Sequence, residues 1–543
     1  MRWPNATIYR GLAEVAAERP EATALVFEDE SWSYEELLDR SRALAGGLAE
    51  LGVGPGDTVA VWLGNRPEWI QTQLAASYLG AAIVAVNTRY RTHELAYMLG
   101  DADCRVLVTE SSFLDNDYLE MLAEVVPSVR TSDPDAFDPA DLALREVVAV
   151  DGGEEFAAAR DFGALEWASD PPAEPANDNE APATVFYTSG TTGDPKGCLQ
   201  PARSVLNHSY NGGAHLGVDE TDVVLGVLPF PGVWGYNTWL LALARGATLV
   251  VQSHYDPTET ARLLREEAVT YFPGLAVMFT RLLDSEAFTP TDAVSLDRGV
   301  VGFLTLSYDE ATFERIEEAF GFPAVQPYGL SEGNSQVFVG RPDDPMAERT
   351  RIGGPLVSDE QEARVVDPET GDDVDDGEKG ELLLRGYNVM NGYLGKPEAT
   401  AEAIDGDGWL HTGDLCSRER VTVDGASEDY LTFHSRLDDA LRVRGFLVSP
   451  REIEVAVDGV EGVAQSQVVG VPHEEHGQVP VAFVRRSDPD LDAGALRDAL
   501  ADQVADYKLP ATVEFVESFP RTESPHGEKI QKHELRERAR DLT

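Results

Sequence analysis

The chain has 543 residues, 43% of them hydrophobic and 8% aromatic, and exceeds the roughly 250 to 300 residues over which a single core usually keeps growing, so more than one domain is expected. That composition argues against disorder in spite of a formal net charge of -53, and the excess acid is expected on the surface. The same charge opposes binding to nucleic acid or an anionic membrane, and no local basic patch offsets it. In chain order, Ser33-x-x-Glu36 is a capping box that opens a helix whose Leu37, Leu44, Leu48 and Leu51 share a face and which Gly52 ends. A strand follows at 58–63, a helix around 69–79, a strand at 83–86, a helix near 94–99 and a strand at 105–109. This alternation predicts α/β layers with largely parallel sheets. Two Pro/Asp/Ala-rich stretches, 132–141 and 169–182, read as surface loops. The apolar strand 183–187 runs directly into a Gly/Thr/Ser-rich loop at 188–197. Further on, two strands flank the acidic turn 367–378 as a hairpin, and from about Asp438 a short α/β unit continues to the end.

Residues 1–5 open no apolar signal segment, and the longest uncharged apolar run, 74–86, falls short of the ~18 residues a membrane span needs. Cys104, Cys198 and Cys416 are odd in number and far apart, which points to a reducing interior rather than a disulfide framework. A cytoplasmic protein is expected. Only six of the 43 basic residues are lysine. Together with the dispersed acid, this is what a salt-rich cytoplasm favours, because high ionic strength screens carboxylate repulsion.

The loop Thr188-Ser189-Gly190-Thr191-Thr192-Gly193-Asp194-Pro195-Lys196-Gly197 carries phosphate chemistry. Its glycines let the backbone approach an oxyanion, its amides and hydroxyls donate to phosphate oxygens, and Lys196 supplies charge. It is not the G-x-x-x-x-G-K-[ST] loop, since glycine follows Lys196.

This string resembles the signature of the adenylate-forming superfamily of acyl-CoA synthetases, luciferases and nonribosomal-peptide adenylation domains, and other pieces follow in order. Gln326-Pro327-Tyr328-Gly329-Leu330-Ser331-Glu332 is similar to the family's Tyr-Gly-x-Thr-Glu motif. Trp409-Leu410-His411-Thr412-Gly413-Asp414 matches its Thr-Gly-Asp motif. Residues 436–445 and 450–454 match its hinge and the following loop, and Pro520-Arg521-Thr522 with Lys529 resembles its terminal lysine motif. The resemblance spans nearly the whole chain. It implies a large N-terminal domain of layered α/β sheets with a β-barrel-like part, residues 1–437, and a small mobile α+β domain, residues 438–543.

The resemblance also implies roles. ATP would lie with Ser189, Gly190, Thr191, Thr192, Gly193 and Lys196 on its phosphates, Gln326, Tyr328, Gly329 and Ser331 by its adenine, and Asp414 and Arg436 on its ribose or phosphate. Glu332 and Thr188 would hold Mg²⁺, a hard ion that prefers oxygen. Lys529 would supply positive charge to the reacting carboxylate and α-phosphate, with Lys532 as a second candidate. The small domain would turn about Asp438, bringing Arg444 and Gly445 to coenzyme A. The function expected is ATP-dependent activation of an apolar carboxylic acid, a fatty acid in the first instance, as an acyl-adenylate, and transfer to CoA by a monomer or homodimer.

Three places depart from the family pattern. Six residues, Glu523 to Glu528, separate Thr522 from Lys529 where three are usual. Gly232 stands where the acyl-pocket motif often has histidine, and Gly302-Phe303-Leu304-Thr305 replaces a Gly-Gly-Ala stretch. Two alternatives follow: an adenylating enzyme that passes the acyl group to a carrier or another acceptor, and an inactive acyl-nucleotide sensor on the same fold.

Overall fold

The computed structural model describes residues 1–188, 195–303, 310–423, 425–443, 446–473, 477–501, 504, 508–524, 527–540 and 542. The capping box forms as expected: Ser33 caps helix Tyr34–Glu50, with its side chain accepting from the Glu36 amide and Glu36 returning a bond to the Ser33 amide, an arrangement that contributes about 1 kcal/mol. Gly52, at φ 82°, ends that segment. The alternating elements that follow fold as strands Thr58–Trp62, Ala82–Ala85 and Val106–Thr109 and helices Pro67–Leu79 and Thr92–Asp101.

Two seven-stranded sheets result. One runs edge to edge through Ala324–Val325, Arg298–Gly302, Tyr271–Leu275, Val223–Gly226, Thr248–Val251, Thr23–Phe27 and Glu30–Ser33. The other runs through Lys196–Pro201, Pro182–Thr188, Ala82–Ala85, Thr58–Trp62, Val106–Thr109, Glu146–Ala149 and Ala159–Asp161. Each is parallel except for one antiparallel hairpin at an edge. The main core joins the sheets: Leu25 and Leu249 of one, Val61 and Ile83 of the other, and Trp69 and Trp239 from helices Pro67–Leu79 and Val233–Arg245 pack in one cluster. Those two helices are apolar around most of their circumference, as helices enclosed on all sides must be.

The β-rich part is a five-stranded antiparallel sheet, Gly353–Gly354, Ala426–Arg436, Leu410–Val423, Lys379–Gly386 and Gln361–Val366, and includes the hairpin around the acidic turn. The C-terminal part is a separate sheet of Phe446–Val448, Leu441–Val443, Gly477–Arg486, Val463–His473 and Thr512–Phe515, with helices Pro450–Asp458, Ala493–Leu500 and Lys532–Arg540. This is the large α/β domain with a small C-terminal domain that the motifs imply. Lys379 of the antiparallel sheet pairs with Glu452 of helix Pro450–Asp458, and Lys508 meets the same carboxylate at 2.7 Å. No helix among the described residues is long and apolar enough to cross a membrane.

Candidate active site

The two strands that flank the Gly/Thr/Ser-rich segment form an edge hairpin. Strands Pro182–Thr188 and Lys196–Pro201 pair antiparallel, with Thr188 opposite Lys196, and the Thr188 hydroxyl donates to the Lys196 carbonyl at 3.4 Å. Ser189, Gly190, Thr191, Thr192 and Gly193 lie outside the described residues, as do Arg444, Gly445, Leu304 and Thr305. Lys196 Nζ stands 5.0 Å from the centre of the Tyr393 ring.

Tyr328 and Asp414 come together beside Cys198 of this hairpin, with Gln326 two residues before Tyr328. Tyr328 is packed in a small core with Val337, Phe338, Leu382 and Leu431, and its hydroxyl donates to Asp414 Oδ2 at 2.6 Å. Asp414 stands opposite Arg436 in the antiparallel sheet. The guanidinium lies 3.0 Å from Asp414 Oδ1 and donates to the Thr412 carbonyl. That approach lacks hydrogen-bond alignment, so Asp414 Oδ1 is a buried acceptor with no hydrogen-bond partner among the described residues. Burial raises the Asp414 carboxyl above its usual range, with Arg436 and Tyr328 opposing the shift. Gln326 is 2% exposed, and its Oε1 is likewise unpartnered among the described residues. A buried acceptor left unbonded costs about 1–3 kcal/mol, which a ligand donor recovers. The Gln326 acceptor suits the exocyclic amine of adenine, and the Asp414 carboxylate, already ion-paired with Arg436, suits a ribose hydroxyl.

Gly329 follows Tyr328 and must be glycine: a Cβ there would meet Gln336 N and the Ser335 carbonyl carbon at 2.4 Å. The chain then makes the short turn Ser331–Gly333, where the Ser331 carbonyl accepts from Gln200 Nε2 at 2.7 Å. Asn334, Ser335 and Gln336 follow with φ of 67°, 59° and 25°. Such a run is strained for non-glycine residues. It is held by Asn237, which donates to the Asn334 carbonyl at 2.7 Å, and by His208 Nε2, 3.0 Å from the Ser335 carbonyl. Glu332 Oε1 accepts from the Tyr393 hydroxyl at 2.8 Å, which leaves Oε2 without a protein donor among the described residues. A carboxylate oxygen and the Thr188 hydroxyl are the hard donors that Mg²⁺ prefers.

On the acyl side, the six-membered ring of Trp234 fills the space a side chain at Gly302 would enter, 2.7 Å from the ideal Cβ. Phe303 packs on Phe313 at 5.2 Å, and Trp234 Nε1 is buried without a partner among the described residues. Burial pushes the Cys198 thiol well above its ordinary range, so it is inert. Of the two candidate lysines, Lys532 Nζ is held by Glu454 Oε1 at 3.2 Å, while Lys529 lies in hairpin strand Gly527–Ile530 opposite Thr522, its side chain outside the description. Sequence reading did not find Tyr393, His208 or the strained run 334–336. Tyr393 sits in Asn391-Gly392-Tyr393-Leu394-Gly395, where nothing local marks it as a site residue.

The family model for AMP-binding enzymes matches residues 12–394, and that for the AMP-binding enzyme C-terminal domain matches residues 452–525. The chain is similar, at 35% identity over 98% of both chains, to 3-[(3aS,4S,7aS)-7a-methyl-1,5-dioxo-octahydro-1H-inden-4-yl]propanoyl:CoA ligase of Mycobacterium tuberculosis. It is 31% identical to 4-coumarate--CoA ligase 3 of Oryza sativa, over 94% of this chain and 87% of that one. Its fold is similar to that of ATP-bound MatB from Rhodopseudomonas palustris, with a TM-score of 0.79 and 26% identity over 99% of both chains. The chain belongs to the AMP-binding enzyme family. Within it, the chain is an acid–thiol ligase of the AMP-forming acyl-CoA synthetase kind, taking ATP, CoA and a small carboxylic acid as substrates.

Proposed function

We propose that this ligase activates an apolar carboxylic acid, a fatty acid in the first instance, and that the nucleotide binds with adenine against Gln326 and Tyr328 and ribose on Asp414. The observation that carries the reading is the buried, unpartnered acceptor Gln326 Oε1 two residues before Tyr328, whose hydroxyl bonds the buried Asp414 carboxylate. The carboxylate attacks the α-phosphorus, pyrophosphate leaves, and the acyl-adenylate is then attacked at its acyl carbon by the CoA thiol, which expels AMP. Both reactants of the first step are anions, so the site must supply positive charge and hold them in line. Lys196 and the loop amides serve the phosphates, and Lys529 serves the carboxylate and α-phosphate. Glu332 and Thr188 hold Mg²⁺, which screens phosphate charge when bound. The engagement of Lys532 with Glu454 favours Lys529 for that task.

The second half-reaction uses the C-terminal domain, residues 438–543, turned about Asp438 so that Arg444 and Gly445 meet CoA. A cavity of about 250 Å³ lined by Arg89, His254 and Arg281 beside Phe113, Leu114 and Met278 suits an anionic group with an apolar arm. The acyl pocket lies by Trp234, Gly302 and Phe303. A second reading of the substrate, an alicyclic keto acid like the one named for the M. tuberculosis relative, is favoured by the buried Trp234 indole N–H, a ready donor to a ketone oxygen. The protein acts in a salt-rich cytoplasm as a monomer or homodimer, in keeping with three buried, unpaired cysteines and a strongly acidic surface.

The test is a panel of fatty, aryl and alicyclic keto acids assayed for AMP release with and without CoA, alongside Lys529→Ala in acid-dependent ATP–pyrophosphate exchange. The expected outcome is CoA-dependent AMP release with fatty acids and a loss of exchange of at least about 100-fold in the variant, the size of a removed transition-state charge contact. Unchanged exchange in Lys529→Ala overturns the assignment of that lysine, and release with keto acids alone selects the second substrate reading.

A further inference from the structure

Residues 390–396 cross the site outside every motif that defines it, and they touch two of its working parts at once. Their backbone adds to the return strand of the phosphate hairpin: Asn391 N donates to the Leu199 carbonyl at 2.8 Å, Leu199 N to the Gly392 carbonyl at 2.9 Å, and Leu394 N to the Gly197 carbonyl at 2.8 Å. One residue earlier, Met390 N donates to the Glu332 carbonyl at 2.9 Å. The side chains repeat the pattern. The Tyr393 hydroxyl bonds Glu332 Oε1 and its ring faces the Lys196 ammonium. Lys396 Nζ donates to the Pro195 carbonyl at 3.2 Å and to the Tyr97 hydroxyl at 2.9 Å, and Tyr97 itself donates to the Pro195 carbonyl at 2.9 Å. Pro195, where the phosphate loop rejoins the sheet, thus receives two donors.

We propose that residues 390–396 form a strap that sets the phosphate loop in register with Glu332, with Tyr393 and Lys396 as positioning residues for magnesium–ATP. The proposal rests on the reading of Glu332 as a magnesium ligand and of the loop as the phosphate site. Tyr393 fixes which carboxylate oxygen is engaged by the protein and which is presented to the ion; an outer partner of this kind spares the ligand the entropy of being ordered on binding. Lys396 acts on the loop itself. Three donors on a compact ammonium let it bridge the Tyr97 hydroxyl and the Pro195 carbonyl, with Asp101 3.7 Å away to balance its charge. The strap is fixed in turn by Tyr393 N donating to Thr400 Oγ1 at 2.9 Å. Gly392 is forced, because its φ is 139° and a Cβ would meet the Thr400 side chain at 2.6 Å.

The two side chains therefore predict different defects, read by calorimetric ATP binding to the full chain with Mg²⁺ and in EDTA. Tyr393→Phe keeps the ring against Lys196 and loses only the bond to Glu332. It should weaken binding with Mg²⁺ about tenfold, the effect of one hydrogen bond to a charged group, raise the Mg²⁺ concentration for half-maximal pyrophosphate exchange, and leave ATP binding in EDTA and the KM for the acid unchanged. Lys396→Met should weaken ATP binding to a similar degree with or without Mg²⁺, and Lys396→Arg should restore part of it. Wild-type Mg²⁺ dependence in Tyr393→Phe, or wild-type ATP affinity in Lys396→Met, overturns the corresponding half of the proposal. An equal loss for Tyr393→Phe in both conditions, with a lowered melting temperature, shows a structural role only and overturns it as well. If the wild-type chain binds ATP identically with and without Mg²⁺, the metal reading of Glu332 fails instead, and the Lys396 arm still stands or falls alone.

Discussion

His208 is fully buried, with Nε2 at the Ser335 carbonyl and Nδ1 3.3 Å from Gln361 Nε2. Burial, only partly offset by the bond to Ser335, pushes its pKa down to about 4. The folded pKa lies below the unfolded value of 6.5, so the unfolded chain takes up the proton first. The stability tied to neutral His208 is complete above pH 6.5 and is lost as pH falls toward 4. Between pH 7.5 and 5 this single group removes about 2 kcal/mol. His208→Gln, which can still donate to Ser335, should flatten the fall in stability over that range, as read by denaturant unfolding at the two pH values. An unaltered slope would mean that the ring is hydrated. The same residue shows why part of the site was illegible: a histidine within a mixed helix carries no sequence signal, and its importance comes from the strained carbonyl it meets across 127 positions.

The segment from Gln326 to Gln336 works as one element. Gly329 admits the backbone of Ser335 and Gln336, and so packs the strained run 334–336 against the segment proposed to hold the nucleotide. Gly329→Ala would drive a Cβ into backbone on the far side of the turn, a displacement that costs about 1–3 kcal/mol. It should lower the melting temperature and reduce ATP affinity at least about tenfold, because Gln326 and Tyr328 move with the turn. ATP affinity close to wild type would show that the turn and the nucleotide residues are independent. Elements of this scale were the most readable in the sequence. The capping box, the alternation of helix and strand through residue 109 and the hairpin around 367–378 all follow from local periodicity and caps, and they fold where those signals put them. The Gly/Thr/Ser loop and the Thr-Gly-Asp string were legible for the same reason, since their chemistry is contiguous. Tyr393 and Asn237 were not, because each acts on a partner from a distant segment and only the assembled sheets bring them together.

At the scale of the whole molecule, a net charge of -53 makes self-repulsion a term in stability, although many arginines are paired with carboxylates. Exposed pairs contribute little and are screened by salt, whereas repulsion among many unpaired carboxylates grows with their number. Repulsion therefore dominates. Raising KCl from 0.1 to 2 M should raise the melting temperature by several degrees; a fall would mean that the ion pairs outweigh the excess charge. The distribution of the few lysines has another consequence. Lys379 and Lys508 are held by Glu452, Lys532 by Glu454, and Lys396 by Tyr97 and Pro195. Burial and the neighbouring Lys508 bring the Lys379 pKa down to about 8, and Glu452 covers that amine. Arginine stays protonated and does not attack carbonyl carbon. An enzyme of this family makes a mixed anhydride able to acylate amines, and a surface dressed in arginine, with four of its six lysines held by neighbours, gives any escaped intermediate few places to scar its own maker.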